Sequence, residues 1–168
     1  AKGGHNEESH NHNDLGSFLV YLDGWPLLID VGVETYTAKT FNNQSRYDIW
    51  TMQSQWHNLP TVNGQLQQNG REFAARDVHY TVSNEAASLQ LDLAGAWPKS
   101  AGIATWIRTI RLQRGSAIVV TDDYQLAAAR EPAVFNFVTS RPVDVTTPGE
   151  IRFGAFPESP SSRGAVLA

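Results

Sequence analysis

The sequence predicts an all-β domain, an antiparallel β-sandwich of stacked sheets. Short runs of strand-forming residues are separated by Gly, Asn, Asp and Pro, a pattern typical of this architecture. The segments SLQLDLA and WIRTIRLQ alternate apolar with polar side chains, as half-buried antiparallel strands do. Helical patterns are scarce, since only residues 37–56 could hold a short helix and an ordered loop fits them as well.

The strands can be assigned in chain order. SFLVYLDGWPLLIDVG (17–32) holds two apolar runs around Asp23-Gly24, a dipeptide that favours a hairpin turn. In HNLPTVNGQLQQNGREF (57–73), Asn63-Gly64 and Asn69-Gly70 indicate two further turns. Later strands are expected in VHYTVS (78–83), ASLQLDLAGAW (87–97), TWIRTIRLQRG (105–115), SAIVVTDDYQL (116–126), AVFNFVTS (133–140) and EIRFGAF (150–156). We expect the sandwich domain to span residues 1–156 and a turn-rich, frayed tail to follow over residues 157–168.

Bulk composition excludes several classes of function. The chain has 168 residues, of which 41% are hydrophobic, enough for one globular core. Its net charge of -4 argues against nonspecific binding to nucleic acid or to an anionic membrane surface. No stretch approaches the roughly 18 apolar residues that cross a membrane.

The chain contains no cysteine, so any metal site must use His, Asp or Glu. It also lacks an initiating Met and opens on AKGGHNEESHNHND. We therefore interpret it as part of a longer protein.

The segment ESHNHNDLGSF places His10 and His12 at alternate positions among Asn and Asp residues. In an extended strand both imidazoles would lie on one face and share a site. An irregular loop would separate them, and Asn11 and Asn13 favour such a loop through side-chain to backbone hydrogen bonds.

Three residues could bind zinc without cysteine. His12, Asp30 and His57 offer the imidazole and carboxylate ligands that zinc accepts. Asp30 ends the apolar run WPLLID, where an unpaired carboxylate is costly to bury. Each residue also fits a structural role, as a hydrogen-bonded histidine or a turn-forming aspartate.

Two charged pairs in the later strands have simpler interpretations. Asp122 and Asp123 in VVTDDY fit a turn at a strand end better than a cation site. Arg108 and Arg111 lie three residues apart in a strand and so on opposite faces, which argues against a shared anion site.

An ordered set of motifs resembles the carboxy-terminal part of the heparinase II/III-like proteins. The set comprises KGGHNEESHNHNDLGSF, LLIDVGVETY and WHNLPTVNG, and the later strands are similar only in pattern. These proteins are polysaccharide lyases that join a helical toroid to a β-sandwich. The resemblance implies an enzyme, periplasmic or secreted from a bacterium, that cleaves uronate-containing glycans by β-elimination.

The resemblance also assigns roles to residues. It implies a structural zinc ion held by His12, Asp30 and His57, while His10 faces the substrate and takes part in proton transfer or in balancing substrate charge. A catalytic tyrosine following the Asp segment falls on Tyr36 or Tyr47, and both remain open. Asn11 and Asn13 are expected to bind the substrate.

The resemblance further implies partners. The helical toroid would supply the rest of the sugar cleft, so the chain alone is expected to be inactive and to expose an apolar patch where the toroid docks. The ligand is expected to be an anionic polysaccharide, and a homo-oligomer is possible. Two rival interpretations are a noncatalytic carbohydrate-binding or scaffolding β-domain and a cupin-like metalloenzyme, which would place a nearby Glu and a compact metal motif inside one barrel.

Overall fold

The computed structural model describes residues 1–42, 44–157 and 163–168, and its regular elements are strands and short 3₁₀ turns joined by irregular loops. The strands are β1 (His5–Asn6), β2 (Val20–Leu22), β3 (Trp25–Leu28), β4 (Pro60–Thr61), β5 (Gly70–Ala74), β6 (Arg76–Val82), β7 (Ala86–Asp92), β8 (Ile103–Gln113), β9 (Ala117–Leu126), β10 (Val134–Phe135), β11 (Val143–Asp144), β12 (Ile151–Phe153) and β13 (Ala165–Leu167). All helices in the described ranges are single 3₁₀ turns: Ala38–Phe41, Arg46–Asp48, Trp50–Met52, Ser54–Trp56, Ala94–Ala96 and Lys99–Ala101. The prediction of an all-β fold is confirmed. Within these ranges no helix has the length and apolar character needed to cross a bilayer.

The largest sheet is antiparallel, with the strand order β6-β7-β8-β9. Strands β8 and β9 form a long hairpin in which Ile110 lies opposite Val120 and Arg108 lies opposite Asp122. Because side chains alternate along a strand, these four residues share one face of the sheet. That face packs toward the interior of the domain.

The second layer consists of smaller antiparallel sheets, among them the β2–β3 hairpin and the three-stranded sheet β11-β12-β13. The hairpin turns at Asp23 and Gly24, which have φ of 54° and 81°. Two consecutive positive φ values are what a tight hairpin turn requires, so the predicted Asp23-Gly24 turn is confirmed.

The carboxy-terminal residues differ from the expected frayed tail. Ala165–Leu167 pair with Ile151–Phe153 in β12, so the end of the chain is part of a sheet. Ala165 and Leu167 are partly buried and Val166 is exposed. This alternation gives the strand apolar contacts that the turn-rich sequence before it does not indicate. Residues 158–162 of the predicted tail lie outside the described residues, and the domain boundary at residue 156 stays a prediction.

Two apolar clusters fill the interior. The first is formed by Leu15, Val62, Leu91, Leu93, Ala96, Trp97, Ala101 and Trp106, and the second by Phe18, Leu27, Leu28 and Phe153. Ile110 and Val120 of the large sheet pack on the second cluster, which joins the two layers of the sandwich. Leu15 and Phe18, which directly follow the histidine-rich segment, each belong to a different cluster. Both cores therefore anchor that segment.

Candidate metal centre

His12, Asp30 and His57 come together at one place, although they lie on three separate segments. One ligand atom from each lies within 4.8 Å of the others. His12 follows β1 in a loop, Asp30 comes two residues after β3, and His57 follows the 3₁₀ turn Ser54–Trp56. The ring of His57 is fully buried, and the Asp30 side chain is 35% exposed. The structure thus brings together the three residues predicted to bind metal.

The hydrogen bonding of His57 indicates which ring nitrogen is free to bind. His57 Nε2 lies 3.1 Å from the carbonyl oxygen of Thr51, and since a carbonyl only accepts, Nε2 carries the hydrogen. Nδ1 of a neutral ring is then an acceptor. It lies 3.0 Å from Asp30 Oδ2, yet it is buried and makes no hydrogen bond within the described part of the chain. Two acceptors that face each other at this distance suit a cation between them.

Electrostatics favour the metal-binding form of His12 and Asp30. Burial first, and then the neighbouring His57, lower the pKa of His12 below its ordinary value, although Asp14 and Asp30 oppose the shift. Burial alone raises the pKa of Asp30, but the adjacent His57, the Gly32 N–H and His12 together lower it below its ordinary value. A neutral imidazole and an ionised carboxylate are the states that bind metal.

The segment bearing His10 and His12 is an irregular loop, which separates the two rings. His10 has a positive φ of 58°, a left-handed conformation that an L-residue rarely adopts. His10 is exposed, while His12 is buried and its ring lies 5.3 Å from that of His57. The extended alternative, in which both histidines share one site, is wrong because a turn with left-handed backbone at His10 interrupts the extended conformation.

Two basic residues that sequence reasoning did not single out hold this loop. Arg46 donates from Nε and Nη2 to the carbonyl oxygen of Asn11, at 3.1 and 2.8 Å. Lys2 donates to the carbonyl oxygen of His12 at 2.9 Å and pairs with the Asp14 carboxylate. Lys2 opens the motif KGGHNEESHNHNDLGSF but was assigned no role there, and sequence patterns do not reveal the backbone carbonyls that Lys2 and Arg46 bind.

Asn11 and Asn13 are buried and stabilise the loop. Asn11 accepts a hydrogen bond from Lys2 at 2.9 Å and donates to the hydroxyl of Tyr47 at 3.3 Å. The backbone N–H of Asn13 donates to Met52 and its side chain lies near the carbonyl oxygen of Gln67. Neither side chain faces open solvent, and their expected contact with substrate stays a prediction.

His10, Tyr36 and Tyr47 lie near the metal centre in different surroundings. The His10 ring stacks over that of Tyr36, with centroids 6.4 Å apart and planes inclined by 21°. Tyr36 is exposed, whereas Tyr47 is half-buried and its hydroxyl bonds to Asn11. The catalytic roles predicted for these three residues are untested by the geometry.

An exposed aromatic surface flanks the site. We define it by Tyr36, Phe41, Trp50 and Trp56, which are 48%, 68%, 43% and 43% exposed. Trp50 and Trp56 meet edge to face, with centroids 5.2 Å apart. Residues 37–56, expected to be a short helix or an ordered loop, form the 3₁₀ turns that carry most of this surface, and Asn43 lies outside the described residues.

Asn58 ties the segments of all three ligands together. Its Nδ2 donates to the carbonyl oxygens of Phe18 at 2.7 Å and Ile29 at 3.1 Å. Phe18 closes the loop that bears His12, Ile29 precedes Asp30, and Asn58 itself follows His57. One buried amide thus connects the three chain segments that supply the site.

Comparison with known proteins identifies the family of this chain. No curated protein matches the chain. The family model described as "Heparinase II/III-like, C-terminal" matches residues 1–164, nearly the whole chain. That span includes the loop of His10 and His12, Asp30 and His57, and the chain belongs to the heparinase II/III-like C-terminal domain family.

Proposed function

We propose that this domain forms part of a polysaccharide lyase that cleaves uronate-containing glycans by β-elimination. In that reaction a base removes the proton at C5 of the uronate, a donor protonates the departing O4, and polar groups stabilise the charge that develops at the carboxylate. Family membership supports a link to polysaccharide lyases, and the substrate class and reaction are our proposal. We further propose that the enzyme works in the periplasm or outside the bacterial cell.

The observation that carries the proposal is the buried Nδ1 of His57, which faces Asp30 Oδ2 at 3.0 Å beside His12 and makes no hydrogen bond to any described residue. We propose that His12, Asp30 and His57 hold one Zn²⁺ ion. Bound there, the ion would supply a structural link among three segments. The fit rests on the donor set of two imidazoles and one carboxylate, which is usual for zinc in the absence of cysteine.

Within this proposal, His10 and the two candidate tyrosines have different roles. His10 stays free of the metal and, from its exposed position in the loop, holds or moves a proton or balances the charge of the uronate. Tyr36 and Tyr47 are the candidates for the tyrosine. Tyr36 is the neighbour of His10, while Tyr47 supports the loop through Asn11. A helical domain would supply the remaining groups.

A cupin-like enzyme fits the geometry less well. The candidate ligands lie on segments between strands rather than inside a barrel, and their carboxylate comes from Asp30 rather than a nearby Glu. A noncatalytic carbohydrate-binding domain would keep the metal but have no use for an exposed His10. Turnover of uronans by the full-length protein therefore distinguishes a lyase from a noncatalytic carbohydrate-binding domain.

Metal analysis tests the proposed centre. Purified protein, loaded with zinc and then dialysed, is expected to retain about one zinc ion per chain. His12→Ala should lose it, whereas His79→Ala, on the exposed strand β6, should retain it. A folded wild-type domain that retains no zinc would contradict the metal assignment.

Activity tests the proposed reaction. The 168-residue chain should show no turnover of uronans when unsaturated uronate is followed by its near-ultraviolet absorbance. In the full-length protein, His10→Ala should lower turnover by about a hundredfold or more, the scale of losing one acid-base or charge-stabilising group, while its zinc content stays near one. Loss of zinc in this variant would instead make His10 a ligand.

A further inference from the structure

A buried ion pair in the large sheet contacts the segments that carry the candidate ligands. Arg108 of β8 and Asp122 of β9 are opposite one another in the sheet, and the Arg108 side chain is 3% exposed. Nε and Nη2 of Arg108 donate to the two carboxylate oxygens of Asp122, each at 2.8 Å. Trp106 Nε1 donates to the same carboxylate at 2.7 Å. Asp122 is therefore inside a strand and paired, and its interpretation as a turn residue at a strand end is wrong.

The remaining nitrogen of the guanidinium reaches the segments that carry the proposed ligands. Arg108 Nη1 donates to the carbonyl oxygens of Gly16 and Asn58, each at 3.0 Å. Gly16 belongs to the segment that follows His12, and Asn58 follows His57. Through the Asn58 amide the same network extends to Ile29, the residue before Asp30. Two donor contacts of one side chain thus connect the large sheet to the segments of His12 and His57, and Asn58 extends the connection to the segment of Asp30.

We propose that Arg108, oriented by Asp122, is a positioning residue that sets the relative placement of His12, Asp30 and His57. This inference rests on the proposed zinc centre. The planar guanidinium suits the task because its forked donors bind the carboxylate on one side and point to fixed carbonyls on the other. An ammonium group has no such fork, so lysine would keep the charge and lose the geometry.

Burying the Arg108–Asp122 pair carries a desolvation cost. Apolar residues at these two positions would avoid that cost if the pair served stability alone. A buried ion pair is often no more stabilising than apolar residues of the same volume. Trp106 and Ile110 on either side of Arg108, and Val120 and Tyr124 on either side of Asp122, show that this face of the sheet is otherwise apolar. A charged pair is therefore better explained by the direction of its hydrogen bonds than by stability.

The test compares Arg108→Lys with a matched variant, Arg141→Lys. Arg141 is also a buried arginine, 4% exposed, that donates to backbone carbonyls, at 2.7 Å to those of Pro26 and Arg163. Its contacts join the β2–β3 hairpin to the carboxy-terminal strands and do not reach Gly16 or Asn58. Both variants are expected to lower the melting temperature of the metal-free protein, so stability alone does not distinguish them.

Zinc affinity and Co²⁺ spectra are the distinguishing measurements. Competition with a chromophoric chelator should show zinc affinity about ten- to a hundredfold weaker in Arg108→Lys, the usual effect of removing a residue that orients metal ligands. The d–d absorption of bound Co²⁺ should shift in this variant. Arg141→Lys should leave affinity and spectrum unchanged. Equal weakening in both variants, or unchanged affinity in Arg108→Lys, would overturn the proposal.

Hydrogen exchange in the metal-free protein separates failure of this inference from failure of the zinc centre. The N–H of Ile29 donates to Val138 and that of Leu59 to His57, so both report on the ligand segments. Faster exchange at these two amides in Arg108→Lys, but not in Arg141→Lys, supports the positioning role even if the wild type binds no zinc. Uniform acceleration in both variants overturns it. If Arg108→Lys does not fold, Asp122→Asn, which removes one of the two acceptor oxygens, takes its place with the same expected outcomes.

Discussion

Replacing Gly16 by alanine should displace the loop that bears His12. Gly16 has a φ of 83°, in the left-handed region, and a Cβ added there would lie 2.3 Å from Cδ1 of Leu93. Leu93 is fully buried in the first apolar cluster and has little room to move. The variant is therefore strained both by its backbone conformation and by a steric clash.

The two contributions can be estimated separately. A left-handed conformation costs an L-residue about 1–2 kcal/mol, and overpacking a close-packed core costs about 1–3 kcal/mol. Together they predict a loss of about 2–5 kcal/mol in the free energy of unfolding of Gly16→Ala. Gly24 has nearly the same φ, 81°, but its added Cβ would meet no atom of the described residues within 4 Å. Gly24→Ala should therefore lower the free energy of unfolding only by the cost of the left-handed backbone, about 1–2 kcal/mol.

Urea unfolding of the metal-free protein measures both losses, and a third variant tests the clash. The substitution Leu93→Ala creates a cavity that the new methyl group at position 16 partly fills. The double variant should therefore be more stable than the sum of the single losses predicts, by about 1–3 kcal/mol. Strict additivity, or equal losses in Gly16→Ala and Gly24→Ala, would refute the steric reasoning.

Three further outcomes are expected. In metal-free protein the pKa of His12 is below its ordinary value of 6.5, so the unfolded state binds the proton more tightly. Stability should therefore fall as the pH drops from 6.5 toward the lower pKa of the folded state, and His12→Gln should flatten this dependence in urea titrations. Arg46→Ala should lower the free energy of unfolding by about 1–3 kcal/mol, because it leaves two part-buried carbonyls without donors; thermal melting that matches the wild type would contradict this. Tyr47→Phe should lower the free energy of unfolding by at most about 1.5 kcal/mol and Tyr36→Phe by less, since among the described residues the Tyr47 hydroxyl accepts a hydrogen bond from Asn11 and the Tyr36 hydroxyl has none. Turnover of the two full-length variants identifies which tyrosine is catalytic.

Local signals in the sequence were sufficient for much of the fold. Asp23-Gly24 and Asn63-Gly64 both adopt positive φ at predicted turns, because the short polar side chain and glycine tolerate that conformation. The turn predicted at Asn69-Gly70 is wrong, since Gly70 begins β5. The alternation in WIRTIRLQ correctly indicated a half-buried strand, β8. Ala165–Leu167 was missed because three residues are too few to show a period.

The candidate site could be predicted only in part. The resemblance singled out His12, Asp30 and His57, which the structure brings together. The sequence did contain a signal for the burial of Arg108, which the sequence analysis missed. Arg108 lies between Trp106 and Ile110 on the apolar face of its strand, and a cation in that position needs a buried partner. Lys2 and Arg46 left no such signal, since a basic side chain that binds a distant carbonyl resembles any solvated cation in sequence.

The hydrogen bonds of Arg108 also bear on the order of folding. Gly16 and Asn58 precede it by 92 and 50 residues, so these contacts close long loops of chain and form slowly. In a zinc finger the metal gathers neighbouring ligands and drives folding. Here we expect the ligand segments to reach their places only after the β8–β9 hairpin docks, so uptake of the proposed zinc ion should be among the last steps of folding.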